Sequence, residues 1–255
     1  MLKKRIIPLL LLKNGRMVKG KRFKDYIDTG NPSSTVKIYT SQYADELMFI
    51  DIEATLSSRK ALIETIKDAA KNSLMPFSVG GGIKSVEDIR EILASGADKV
   101  LINSAACESP NFIEEAVKVF GSQAIIAGID YKFDSKSNED KVWIKCGTKI
   151  TSENPIELSK KYRSLNVGEI MLNSIDRDGM MSGYDLKLNK QISNNLDIPI
   201  ISCGGAGNFG HLVELFSKTN VSAAACSSIF HFGDNCPMQA RTYLRNHGIE
   251  MRIIK

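Results

Sequence analysis

The residues best suited to chemistry fall in two related stretches, Phe77-Ser-Val-Gly-Gly-Gly-Ile-Lys-Ser85 and Ile200-Ile-Ser-Cys-Gly-Gly-Ala-Gly-Asn208. Each is an apolar run that ends in glycines and opens a helix-like segment. Glycine lets backbone N–H groups come close to an anion, and a following helix N-terminus adds partial positive charge. Each stretch has a companion. Gly81 lies 22 residues before Asn103 in Val100-Leu-Ile-Asn-Ser-Ala-Ala106, and Gly205 lies 22 residues before Ser227 in Ala224-Ala-Cys-Ser-Ser-Ile229. One offset of 124 maps the first pair onto the second, which marks an internal duplication. The expectation is two phosphate cradles: Gly81, Gly82, Asn103 and Ser104, then Gly204, Gly205, Ser227 and Ser228. They suit a substrate with a phosphate at each end, or one working cradle and one relic. The bland alternative is a pair of tight strand-to-helix turns.

Asp130 follows the apolar run Ala124-Ile-Ile-Ala-Gly-Ile129. A carboxylate there is partly desolvated, its pKa is raised, and it becomes a candidate general acid or base; a structural capping role is the alternative. The loop Ser174-Ile-Asp-Arg-Asp-Gly-Met-Met-Ser-Gly-Tyr-Asp185 holds three Asp and two Gly but lacks the Glu that completes an EF-hand loop. Asp178 and Gly179 therefore read as a substrate-binding rim. Arg5, Glu46, Lys99 and Glu169 each stand immediately before an apolar run. They form either a solvated face or a salt-bridged gate. Five scattered cysteines fit reduced thiols in the cytoplasm, and the three histidines have no zinc spacing. No metal and no cofactor is expected.

The elements that must position these residues are short buried strands alternating with amphipathic helices. Eight apolar runs qualify: Ile6–Leu12, Leu47–Ile52, Pro76–Val79, Val100–Ile102, Ala124–Ile129, Ile170–Leu172, Pro199–Ser202 and Ala223–Cys226. Their unbroken apolar character marks strands buried on both faces. Helices are expected over Ser33–Gln42, Arg59–Asn72, Ser85–Ser95, Pro110–Phe120, Asn154–Asn166, Leu186–Asn195, Asn208–Ser217 and Pro237–Asn246. Eight such units in 255 residues predict one (β/α)8 TIM barrel with an internal two-fold repeat, its half-barrels about 1–122 and 123–255. An open doubly wound sheet is the runner-up. Candidate site positions are then the strand ends: Leu11, Asp51, Asn103, Asp130, Asn173, Asp176, Asp178 and Ser202. Lys13–Asn31 reads as a long lid loop, and Asp134–Lys141 as an inserted loop or hairpin. A net charge of +5 without a reading motif argues against nucleic acid. The run Ile6–Leu12 is too short to span a bilayer, so no membrane is expected.

With these residues in place, the chain resembles the cyclase subunit of imidazole glycerol phosphate synthase over nearly its whole length. The resemblance is carried by Lys4-Arg-Ile-Ile7, Lys13-Asn-Gly-Arg16, Val18-Lys-Gly20, Val79-Gly-Gly-Gly-Ile83, Gly96-Ala-Asp-Lys99, Ile102-Asn-Ser-Ala-Ala106, Phe120-Gly-Ser-Gln123, Ser174-Ile-Asp-Arg-Asp-Gly179, Ser182-Gly-Tyr-Asp185 and Gly204-Gly-Ala-Gly207. It implies a (β/α)8 barrel with two phosphate sites, a glutaminase subunit docked on the barrel's N-terminal face, and ammonia passing through the barrel. Arg5, Glu46, Lys99 and Glu169 match that family's gate, Lys19 its mobile-loop lysine, and Asp130 one of its two catalytic carboxylates.

The second catalytic carboxylate of that family falls where this chain has Leu11, and Asn14 replaces an Asp beside it. Losing a positioned acid or base costs roughly 10²–10⁴-fold in rate. Pro8-Leu-Leu-Leu-Leu-Lys-Asn-Gly15 and the ending Asn235-Cys-Pro-Met-Gln-Ala-Arg-Thr-Tyr-Leu-Arg245 are similar instead to a paralogous branch found with surface-sugar biosynthesis. That branch pairs with a glutaminase and an ATP-dependent amidotransferase to turn an acetamido group into an acetamidino group. The leading expectation is thus an ammonia-channelling subunit serving a phosphorylated or nucleotide-sugar acceptor. The alternatives are a working cyclase that uses Asp130 with Asp51 or Asp178, and a non-catalytic phosphosugar-binding barrel.

Overall fold

The computed structural model describes residues 3–54, 63–72 and 75–252. The strands are β1 (Arg5–Lys13), β2 (Arg16–Lys21), β3 (Lys24–Gly30), β4 (Leu47–Asp51), β5 (Phe77–Gly80), β6 (Lys99–Ile102), β7 (Ile125–Asp134), β8 (Glu139–Ile144), β9 (Lys149–Ile150), β10 (Glu169–Ser174), β11 (Ile200–Cys203) and β12 (Ala223–Cys226). The helices are α1 (Pro32–Ser41), α2 (Ile63–Lys71), α3 (Val86–Ala94), α4 (Ser104–Glu108), α5 (Pro110–Phe120), α6 (Pro155–Ser164), α7 (Leu186–Asn195), α8 (Phe209–Lys218), α9 (Ser228–His231) and α10 (Pro237–Asn246).

Eight strands pair in parallel around a closed circuit, β1-β4-β5-β6-β7-β10-β11-β12 and back to β1. This is the expected (β/α)8 barrel, and all eight apolar runs form its staves. The start of the helix expected over Arg59–Asn72 lies outside the described residues, which resume at Ile63. Local chemistry sets the helix starts. Ser85 caps α3 in a reciprocal capping box with Asp88, Asn208 caps α8, and Pro opens α1, α5, α6 and α10.

The staves split the core into two layers. Outward residues such as Ile6, Leu10, Phe49, Phe77 and Ile170 pack under the helices, whereas Ile7, Leu9, Met48, Ile126, Met171 and Ile201 face the bore. A buried ion pair ties the seam. Arg241 of α10 reaches Asp45 at 2.7 Å, and Asp45 also accepts from the Ile6 N–H at 2.9 Å.

Both long connections differ from a plain loop. Lys13–Asn31 is an antiparallel hairpin. Asn14 and Gly15 form its first turn with φ of 51° and 72°, the left-handed pair that matches strand twist. β2 and β3 then fold back over the barrel mouth. The stretch expected as a loop or hairpin around Asp134–Lys141 is a hairpin, made by β7 running on to Asp134 and pairing with β8.

Candidate functional site

A cavity of about 450 Å³ occupies the C-terminal mouth of the barrel. Nine of the expected site residues line it: Leu11, Asp51, Gly81, Gly82, Asn103, Ser104, Asp130, Asn173 and Asp178. The backbone explains why glycine stands at both cradles. Gly81 has φ of 104°, and a Cβ there would lie 2.2 Å from the Asp51 carbonyl oxygen; at Gly205 the values are 113° and 2.1 Å, against Gly183. Short helices follow, α4 from Ser104 and α9 from Ser228, each too brief to show a periodicity of its own in the sequence.

The two cradles are not equally open. Gly204, Gly205, Ser227 and Ser228 do not line the cavity. The β2–β3 hairpin docks on the loop after β10. Its Lys19 pairs with Asp178 at 2.6 Å, the Arg22 N–H donates to the Asp178 carbonyl at 2.9 Å, and Gly179 sits directly beneath the Gly20 carbonyl. In this conformation only the first cradle faces the space in which Asp130 stands.

Asp130 is open to the cavity yet deep among protein atoms. Burial pushes its carboxyl up to about 7. Hydrogen bonds from Asn173 and Asn103 pull the other way, and the charge of Asp178 adds to the rise. Asn173 donates through Nδ2 at 3.0 Å. A carboxyl that titrates near neutrality can take or give a proton at working pH.

The three Asp of the 174–185 loop have separate duties. Asp178 faces the cavity. Asp176 accepts from the Phe133 N–H at 3.0 Å, and Asp185 caps α7 by accepting from the Leu188 N–H at 3.1 Å. Of the expected rim pair, Asp178 lines the cavity and Gly179 does not, and the other two carboxylates hold the loop. Asp51 lines the cavity but accepts from the N–H groups of Glu53 and Ala54. Ser202 is a correction. It is fully buried in the outward register, and the inward residue at that strand end is Cys203, because a one-residue slip exchanges the two faces.

Leu11, 8% exposed, belongs to the inward apolar cluster, beside Leu9 and Val18, with Tyr26, Ile50 and Ile52 packed on that cluster. The wall opposite the acid is thus hydrocarbon. Tyr26, Phe23, Lys84, Lys145 and Cys146 also line the cavity, although sequence reasoning does not single them out as site residues. Lys145 and Cys146 sit in a turn with φ of 53° at each, which the sequence signals only through the Gly147 that follows.

At the other end of the bore, Arg5, Glu46, Lys99 and Glu169 come together as a ring. Arg5 meets Glu46 at 2.7 Å and Glu169 at 2.5 Å; Lys99 meets Glu169 at 2.5 Å and Glu46 at 3.5 Å. Burial disfavours ionised Glu169, but Arg5 and Lys99 outweigh it and hold its pKa below the ordinary value. Each residue begins or precedes a stave, so the parallel register brings all four to one level.

The sequence profile of a family described as "Histidine biosynthesis protein" matches residues 5–235. The imidazole glycerol phosphate synthase subunit HisF of Hydrogenobaculum sp. (strain Y04AAS1) is 44% identical over 256 residues, covering 99% of this chain and 100% of that protein. The chain belongs to the HisF family. The HisF subunit of Lactococcus lactis subsp. cremoris (strain SK11) is 43% identical, covering 100% and 98%, and that of Bacillus cereus (strain G9842) is 44% identical, covering 99% and 100%. These HisF relatives carry the synthase name and none names sugar amidation, so they favour the cyclase alternative over the surface-sugar branch that the ends of the chain suggest. Among the described residues no group of His, Cys, Asp and Glu could hold a metal ion, and no helix is long and apolar enough to cross a membrane.

Proposed function

We propose that this chain is the ammonia-accepting synthase subunit of a glutamine amidotransferase, working as the cyclase of imidazole glycerol phosphate synthase. The observation that carries the reading is one axis. A four-charge ring lies at the floor, an apolar bore rises from it, and a cavity with one near-neutral carboxyl lies at the mouth. A glutaminase docked on the floor face supplies ammonia past Arg5, Glu46, Lys99 and Glu169. The bore carries it as a small neutral molecule. The mouth holds a phosphorylated ribulosyl aminoimidazole carboxamide, one phosphate against Gly81, Gly82, Asn103 and Ser104. Its second phosphate goes to Asp178-Gly179, Gly204, Gly205, Ser227 and Ser228 once the hairpin bearing Lys19 lifts. Asp130 moves the proton, and the complex works in the cytoplasm without a cofactor.

Leu11 supports a second reading. With hydrocarbon facing Asp130, the barrel could pass ammonia to a different acceptor, such as the acetamido group of a nucleotide sugar held by an ATP-dependent amidotransferase. One assay separates the two. The purified barrel is given the bis-phosphorylated histidine-pathway substrate with ammonium salt, and imidazole product is measured beside an Asp130→Asn control. Product that depends on Asp130 supports the cyclase. No product, together with glutaminase stimulation on mixing, favours the second reading.

A further inference from the structure

One stave carries three stages of the axis. The inward residues of β10 are Glu169 in the floor ring, Met171 in the bore and Asn173 at the mouth. At a strand rise of about 3.3 Å per residue, ring and mouth are roughly 13 Å apart. Its neighbour β7 runs in register, with Ile126 opposite Glu169, Gly128 opposite Met171 and Asp130 opposite Asn173. Gly128 lets Leu101 and Asn103 pack close beneath the acid, since a Cβ there would stand 3.2 Å from Leu101 and 3.3 Å from Asn103. The two staves thus hold Asp130 and Asn173 side by side at the mouth end of the bore.

Asn173 is only 8% exposed and uses half of its amide. Nδ2 donates to Asp130 at 3.0 Å, which fixes the amide's orientation, whereas Oδ1 has no hydrogen-bond partner among the described residues. A buried carbonyl oxygen without a donor costs about 1–3 kcal/mol. A ligand that brings an N–H removes that cost. Leu9, Leu101 and Met171 offer no donor, and Asp130 beside it, once ionised, can only accept. Asn173 belongs to none of the motifs that carry the resemblance.

We infer that Asn173 Oδ1 and the Asp130 carboxylate together form a seat for ammonia or ammonium at the mouth end of the bore. The inference rests on the ammonia reading above. Two acceptors take two N–H bonds and turn the nitrogen toward the substrate side of the cavity. The donor half of the same amide holds Asp130 in place, so Asn173 is a positioning residue as well as a ligand.

The test is a titration that needs no turnover. Protein labelled with ¹³C at its Asp carboxyls is titrated with ammonium chloride, and with tetramethylammonium chloride at equal ionic strength. The Asp130 signal is assigned by its loss in Asp130→Asn. A saturable Asp130 shift is expected with ammonium alone, its apparent affinity at least tenfold weaker in Asn173→Leu. Asn173→Thr, which retains a small polar group, guards against misfolding of the leucine variant and should also weaken the shift. No saturable shift, or equal affinity in a folded Asn173 variant, overturns the seat. In the cyclase assay the same variants should raise the ammonium KM tenfold or more and leave the phosphorylated-substrate KM within twofold. An unchanged ammonium KM also overturns it. A silent cyclase assay beside a positive titration removes the cyclase reading and leaves the seat standing.

Discussion

Lys19 Nζ lies 2.6 Å from Asp178 Oδ1, with 2% and 10% of the two side chains exposed. The pair locks the β2–β3 hairpin onto the loop after β10. Breaking a buried pair by removing one partner leaves an uncompensated charge. Lys19→Met should therefore release the hairpin. Amide exchange over residues 16–30 should speed at least tenfold while the barrel staves keep their protection. Unchanged exchange there would show that the hairpin is held by other contacts.

Asp130 makes stability depend on pH. Its folded pKa of about 7 stands above the ordinary 3.8. The unfolded chain thus loses this proton first, and the native state is penalised as pH rises from about 4 to 7. The distance between those two values sets an upper bound of about 4 kcal/mol. Asp130→Asn should be more stable than the parent at pH 8, and the difference should vanish below pH 4. Urea unfolding at both pH values measures it. A variant less stable at pH 8 would place the acid in a better-solvated site.

Leu11→Asp alone should not restore the missing acid. The position belongs to the apolar cluster of Leu9 and Val18, with Tyr26, Ile50 and Ile52 packed on it, so a carboxylate there faces the cavity on one side and lies against hydrocarbon on the others. The expected cost is about 2–4 kcal/mol at pH 7, read as a fall in urea midpoint. The turn at Asn14 and Gly15 next to it would also remain unchanged. Full cyclase activity from this single change, at parental stability, would contradict this expectation.

How far the sequence could be read follows from the same residues. Staves buried on both faces are continuous apolar runs, so all eight are legible, as are the four charges that precede them. Inward or outward direction is harder, because it turns on a single residue. Ser202 stands out at its strand end, yet Cys203 points inward; Asn173 shares the register of Asp130, but no motif gives it a role. The Asn14-Gly15 pair is a strong hairpin signal, yet the polar residues after it make Lys13–Asn31 read as a loop. The docking of the β2–β3 hairpin on the loop after β10 cannot be read at all, since it depends on Lys19 meeting Asp178 from 159 residues away.

Arg5 balances two buried carboxylates, and its removal leaves Glu46 and Glu169 to share Lys99. Arg5→Ala should cost about 3–5 kcal/mol at pH 7. The pH dependence carries a definite sign. Glu169 has a folded pKa below its ordinary 4.5. The stability it contributes is therefore present above pH 4.5 and is lost as pH falls through the folded value. Without Arg5 that depression shrinks. The gap between variant and parent should then be widest near neutral pH and should close as pH drops below 4.5. Mixed with a glutaminase partner, the same variant should form less product per glutamine hydrolysed, because on the proposed reading ammonia enters through this ring, which has lost its main cation. A constant gap across the acid range would mean that the ring contributes by packing rather than by charge.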